Sequence, residues 1–216
     1  ANGGGNTADI VAGIVWAVGH GANVINMSLG SRDSDKAEEA AIRWARNRGV
    51  VVVAAVGNDG GKRTMYPAGY GDSKKNSTDG NDPVIGVGAV HRGGARAAFS
   101  QRGNPVDVVA PGVRVFSTFP RSRGSYAWES GTSMAAPYVA GTAALVMSQV
   151  AATNPAMSPS DRAAQVTNAI RAASRDAGAG GTDRQYGSGE VDAAAALAAV
   201  GAPVSVGMAT DARLIG

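Results

Sequence analysis

The stretch that most constrains this chain is the apolar run Val50-Val51-Val52-Val53-Ala54-Ala55, which continues through Val56 and is bracketed by Gly49 and Gly57. Four β-branched residues in a row disfavour a helix, and the run is too short for one. Nothing in it alternates with polar residues, so neither face is meant for water. A short strand apolar on both faces belongs to a parallel sheet covered by helices. The flanking sequence agrees. Ile10, Val11, Ile14, Val15 and Val18 recur at helical spacing after Thr7, the expected cap, and Gly21 closes that helix. Val24 to Ser28 predicts a short buried strand. A second helix opens at Ser34 or Asp35. Its acids, Glu38 and Glu39, lie near the start, and Arg43, Arg46 and Arg48 lie towards the end, which suits the helix dipole. Strand, helix and strand joined by short links make a right-handed βαβ unit. The predicted fold class is therefore α/β, a doubly wound and mostly parallel sheet flanked by helices.

Residues 59–83 follow as a long polar loop with Asp72, Lys74, Lys75, Asp79 and Asp82. Strands are expected near 84–90, 106–110 and 113–118. A small-residue helix is expected over about 132–151, an amphipathic one capped by Ser158 over about 159–174, and a last short helix over about 191–200. Residues 1–200 make one domain, and 201–216 lack periodicity and are expected to be an extension or linker. In doubly wound sheets ligands gather beyond the carboxyl ends of strands. Those ends here are Ser28-Leu29-Gly30 and Gly57-Asn58-Asp59, both polar and glycine-bearing.

Several function classes are excluded. The chain has no cysteine, so it is no disulfide scaffold, zinc ribbon or thiol enzyme. No apolar run approaches the roughly 20 residues of a membrane span. The net charge is only +3, and the arginines between Arg92 and Arg123 sit among turn residues with few aromatics, which predicts a solvated surface and no nucleic-acid partner. Gly57 to Thr64 is no phosphate loop, since Val56 and Arg63 occupy positions that need Gly and Ser or Thr. Gly3-Gly4-Gly5 lacks the preceding strand of a dinucleotide site.

The chemistry concentrates in Gly131-Thr132-Ser133-Met134-Ala135-Ala136-Pro137. Ser133 falls at the start of a long helix, where unpaired N–H groups and the positive dipole end favour an anion. Pro137 lies early in the helix, where its missing N–H costs least. Ala135, Ala136, Ala140, Gly141, Ala143 and Ala144 keep the helix thin enough for deep burial. The pattern is Gly-x-Ser-x-Ala, not the Gly-x-Ser-x-Gly elbow of α/β-hydrolases, which disfavours an esterase of that fold.

This motif resembles the nucleophile motif of the subtilisin-like serine proteases, the subtilases. Other blocks resemble the same family in order and spacing: Val24 to Gly30, Val51 to Gly60, Ala97 to Ser100, Val108 to Gly112 and Tyr186 to Asp192. The resemblance implies a subtilisin-like fold and a serine endopeptidase. Ser133 would be the nucleophile, and Asn58 the side-chain donor of the oxyanion hole beside the Ser133 N–H. Ser28, Leu29 and Gly30 would pair with an extended substrate on one side, and Gly3, Gly4 and Gly5 on the other. Ala55, Val56 and Gly57 would line the pocket for the side chain before the scissile bond, with Asp59 at its rim and Met65 narrowing its floor. Tyr66-Pro67 matches a position where the family often has a cis peptide.

The family order is Asp, His, Ser, and its Asp and His motifs precede the region that matches Ala1. Neither His20 nor His91 matches the family's base. The resemblance therefore implies a fold incomplete at its N-terminus, with the Asp and His supplied by an N-terminal segment of the same protease. The alternative is a catalytically incomplete peptide-binding fragment. A peptide or protein substrate, a propeptide or inhibitor partner and a secreted location are implied as well. No cofactor is needed for the chemistry. Asp107 and the backbone carbonyls near Asp82 and Val84 resemble one of the family's calcium sites, and carboxylate and carbonyl oxygens suit that ion, so the resemblance implies a structural calcium there; the alternative is an ordinary loop aspartate.

Overall fold

The computed structural model describes residues 4–71 and 82–201. Gly3, the loop residues Asp72, Lys74, Lys75 and Asp79, and positions 202–216 lie outside them.

Four strands, β1 (Val24–Met27), β2 (Val51–Ala55), β3 (Ile85–Val90) and β4 (Val108–Pro111), lie side by side in that order. All are parallel, with Val24 opposite Val51, Val53 opposite Ile85, and Val87 opposite Val108. Every residue of β2 and β3 is buried, as a strand apolar on both faces requires. The side chains of β2 divide by parity. Val51, Val53 and Ala55 join one core cluster, and Val52 and Ala54 join the other.

Helices α1 (Thr7–Gly19) and α2 (Lys36–Asn47) complete the second cluster through Ile14, Ala41, Ile42 and Ala45. Helices α3 (Thr132–Thr153), α4 (Pro159–Ala173) and α5 (Ala193–Ala199) complete the first. The sheet is thus sandwiched, and each fully buried valine contributes about 1.5–3 kcal/mol. An acid at Val53, which is wholly buried at the centre of the sheet, would collapse this arrangement.

Most helix starts have a side-chain cap. Asp35 accepts from the N–H groups of Ala37 and Glu38, Ser158 from Asp161, and Asp192 from Ala195. The first helix is capped by Asn6, one residue before the expected Thr7. Helix α3 differs, because its N-cap Gly131 has no side chain to offer. Its alanines at 135, 136 and 143 are wholly buried, which lets α3 lie close against all four strands. By length and apolarity α3 would pass for a membrane span, contrary to the reading that no run is long enough. Half of that stretch is buried within the domain, as in a core helix.

Beyond the sheet, the strand expected near 113–118 is β5 (Val115–Thr118), and it pairs with β6 (Tyr126–Glu129), which the sequence reading did not foresee. The two form a separate antiparallel ribbon. Phe116 packs at 5.0 Å from Trp128 and 5.6 Å from Tyr126 on one face of it. The ribbon runs directly into the Gly131 to Ser133 segment.

Candidate active site

The carboxyl ends of β1 and β2 and the start of α3 converge. Ser133 is the second residue of α3 and is partly exposed. Its Oγ donates weakly to the Ser28 carbonyl at 3.4 Å, while the Ser28 hydroxyl donates to the Ser133 carbonyl at 2.8 Å. The loop after β1 is thereby tied to the first turn of α3.

Asn58 provides the cap that Gly131 lacks. Its Oδ1 accepts from the Thr132 N–H at 2.8 Å and from the Thr132 hydroxyl at 3.0 Å. With Oδ1 occupied, the amide cannot rotate freely, and both N–H donors of Nδ2 are left for a ligand. A Cβ on Gly131 would lie 3.3 Å from Nδ2, so this glycine leaves the amide its space directly before Ser133. Thr132, wholly buried, also accepts from the Gly57 N–H at 3.1 Å. Thr132 is a positioning residue that the sequence reading passed over. Its signal is position alone: a buried hydroxyl beside the nucleophile.

Gly57 has φ of 108°, and a Cβ there would meet Met65 Cγ at 2.7 Å and Gln101 Cγ at 2.9 Å. Both the left-handed backbone and the close approach require glycine. A Cβ on Gly30 would face Met65 Cε at 3.7 Å. Met65 therefore lies between the two glycines, as a floor between the 28–30 and 55–57 segments. The Ser31 and Tyr66 backbones bond reciprocally at 2.8 Å and fix that floor, and the Tyr66-Pro67 peptide is cis.

The other expected residues divide. Ala55 and Val56 are buried in opposite core clusters, so their side chains line no pocket and this segment offers only backbone. Leu29 is exposed at 41%. Gly4 and Gly5 are exposed and lead into α1. Asp59 is not a bare rim charge, because Arg32 pairs with it at 3.3 Å.

Neither histidine bonds to Ser133. His20 spends Nδ1 on the Trp16 carbonyl at 2.7 Å and stacks on the Trp16 ring at 4.0 Å. His91 sits in the exposed turn after β3, its N–H bonded to Ala95.

The calcium expectation meets a different arrangement. Arg171 of α4 donates at 2.8 Å to both Asp82 Oδ2 and Asp107 Oδ1, and Asp107 Oδ2 accepts from the Gly86 N–H at 2.7 Å. The cation these carboxylates serve is a guanidinium, so they do not fit a metal site as they stand. Val84 is buried in the second core cluster, and only its carbonyl could have served. Among the described residues no group of three or more His, Cys, Asp or Glu could hold a metal. Burial pushes the Asp107 carboxyl up to about 6, against the lowering effect of Arg171 and the Gly86 N–H. The two carboxylates hold the Arg171 charge above its ordinary range despite its own burial.

Known proteins resemble this chain. Subtilisin Savinase of Lederbergia lenta is 41% identical over 196 residues, which is 91% of this chain and 64% of that protein. The alkaline protease of Alkalihalobacillus alcalophilus is 41% identical over 196 residues, 91% of this chain and 45% of its own length. This chain thus spans less than two thirds of these relatives. Among solved structures, a protease of Pseudoalteromonas arctica PAMC 21717 matches with a TM-score of 0.72 and 36% identity, over 92% of this chain and 60% of that one. The prenylagaramide maturation protease PagA matches with a TM-score of 0.72 and 29% identity, over 91% of this chain and 68% of that one. The peptidase S8 model, described as the subtilase family, matches residues 1–189. With its parallel sheet, its helix-borne Ser133 and a family match over most of its length, this chain belongs to the subtilase family.

Proposed function

We propose that the chain is the nucleophile-bearing part of a serine endopeptidase. The observation that carries this reading is Asn58, fixed by Thr132 with its amide donors free beside the first turn of the Ser133 helix. Ser133 Oγ attacks the scissile carbonyl carbon, and the carbonyl oxygen becomes an oxyanion held by Asn58 Nδ2 and the Ser133 N–H. Collapse breaks the C–N bond, and the amine leaves with the proton that came off Ser133. Water then hydrolyses the acyl-enzyme and restores Ser133. An extended substrate adds as a strand along 28–30 and along the glycine run at 3–5. Its side chain before the scissile bond enters between Gly30 and Gly57, above Met65.

A general base has to accept the Ser133 proton, and its orienting carboxylate has to hold it. The Asp and His of the triad come from a segment of the same protease that precedes the matched region. Exposed apolar side chains on α1 (Val15, Trp16) and α3 (Tyr138, Leu145) are the surface such a segment would cover. Without it the chain is inactive. A propeptide or inhibitor would occupy the same strands as substrate, and the protein works outside the cell.

A second reading, a non-catalytic peptide-binding fragment, draws on the Ser133 hydroxyl bonding to a carbonyl and to no histidine. One experiment separates the two. A fluorophosphonate probe is reacted with the protein alone and with the Asp/His segment added, and the adduct is mapped by intact mass and peptide sequencing. Labelling of Ser133 that depends on the added segment supports the peptidase. Failure to label in both forms leaves the binding fragment.

A further inference from the structure

Away from Ser133, a cavity of about 200 Å³ is lined by Lys62, Thr64, Arg102, Gly103, Asn104 and Arg184. Three segments meet there: the loop after Asn58, the stretch after Gln101 and the turn before Tyr186. Backbone bonds join them, from Arg102 N–H to the Gly61 carbonyl at 2.9 Å and from Gly103 N–H to the Arg184 carbonyl at 2.7 Å. Gln101 Nε2 adds a bond to the Arg63 carbonyl at 3.0 Å.

The lining is chemically one-sided. Three of its six residues are cations and none is an acid. Neither Lys62, Arg102 nor Arg184 forms an ion pair among the described residues. The adjacent acid, Asp183, is occupied by the N–H groups of Ala179, Gln185 and Tyr186 at 2.9, 2.6 and 2.9 Å. Arg102 Nε is buried without a hydrogen-bond partner. Thr64 and Asn104 add two neutral polar residues to the same lining. Like charges gathered in one pocket repel, and an anion reverses the sign of each of those interactions. Guanidinium forks and an ammonium around a small cavity match the oxygens of a tetrahedral oxyanion.

We propose that this pocket binds an oxyanion of the phosphate class, clasping the three segments together. The site is separate from the Ser133 machinery and stands whether or not the chain is a peptidase. The same chemistry is presented by free phosphate and by a phosphorylated side chain.

The test is titration calorimetry and thermal unfolding with inorganic phosphate, at ionic strength held constant with sodium chloride. Phosphate a hundredfold above its Kd raises the thermal midpoint by roughly 5–10 °C. Lys62→Gln and Arg184→Gln, both at exposed positions, each weaken binding about tenfold through a lost charge-assisted contact. Arg102→Gln weakens it further. A phosphoserine peptide that competes with phosphate assigns the natural ligand to a modified chain, and one that does not assigns it to the free ion. The proposal is overturned if chloride alone matches phosphate, or if the Lys62 and Arg184 variants bind phosphate as the wild type does.

Discussion

Asn58 and Thr132 hold each other twice, through the Thr132 N–H at 2.8 Å and its hydroxyl at 3.0 Å, both directed at one amide oxygen. The same hydroxyl accepts the Gly57 N–H. Thr132→Val therefore leaves the half-buried Gly57 N–H without its acceptor and removes one of the two donors to Asn58, at a cost of about 1–3 kcal/mol. The thermal midpoint falls by roughly 2–10 °C. Fluorophosphonate labelling of Ser133 in the complete enzyme slows with it, and Thr132→Ser restores both. A valine variant as stable and as reactive as the parent would refute this role.

Met65 lies against both Gly30 and Gly57. Met65→Gly deepens the pocket between them. The complete enzyme then cleaves peptides with Phe or Tyr before the scissile bond better relative to those with Ala, by about tenfold in kcat/KM, as one or two added methylene-sized contacts would give. Unchanged ratios would remove Met65 from the pocket.

Arg32 neutralises Asp59 at the rim, with both side chains more than half exposed. Arg32→Ala frees the carboxylate, and cleavage after Lys or Arg rises by about two- to fivefold at low salt, in line with the small worth of exposed pairs. The gain fades in high salt. An effect that ignores salt would argue for a steric cause.

Asp107 shapes the pH response. Its folded pKa, about 6, lies above the ordinary value of 3.8 expected of the unfolded chain. The folded state therefore holds a proton that the unfolded chain has released, and stability from this group is full below about pH 4 and declines towards pH 6. Denaturant midpoints of wild type and Asp107→Asn should converge or cross over that window. Parallel profiles would exclude Asp107 as the source.

Much of this was legible because the sequence carries local signals. The β2 run declared a strand buried on both faces, and Asp35 and Ser158 declared their helices through their caps. What stayed hidden depends on which distant residues meet. Arg171 meets Asp82 and Asp107, the two acids assigned to calcium, across sequence separations that no local pattern spans. Val56 read as pocket wall, whereas strand parity turns it into the core. Strand β6 was missed because its residues, Tyr126 to Glu129, pair only with β5 and face water on one side. Asn58 and Ser133 came from the family motif, but the capping of α3 by Asn58 depends on Gly131 having no side chain, which no local pattern announces.

The Arg171 clasp has a bearing on lifetime. It spans 64 residues to Asp107 and 89 to Asp82, and contacts that close such long loops form late in folding. Interactions absent from the transition state govern how fast a protein opens rather than how fast it forms. Arg171→Leu should accelerate unfolding in chevron measurements while leaving the folding limb nearly unchanged. When a peptidase is present, each opening is an occasion to be cut. The durability of such a protein is then set on α4, by a guanidinium that takes no part in bond cleavage.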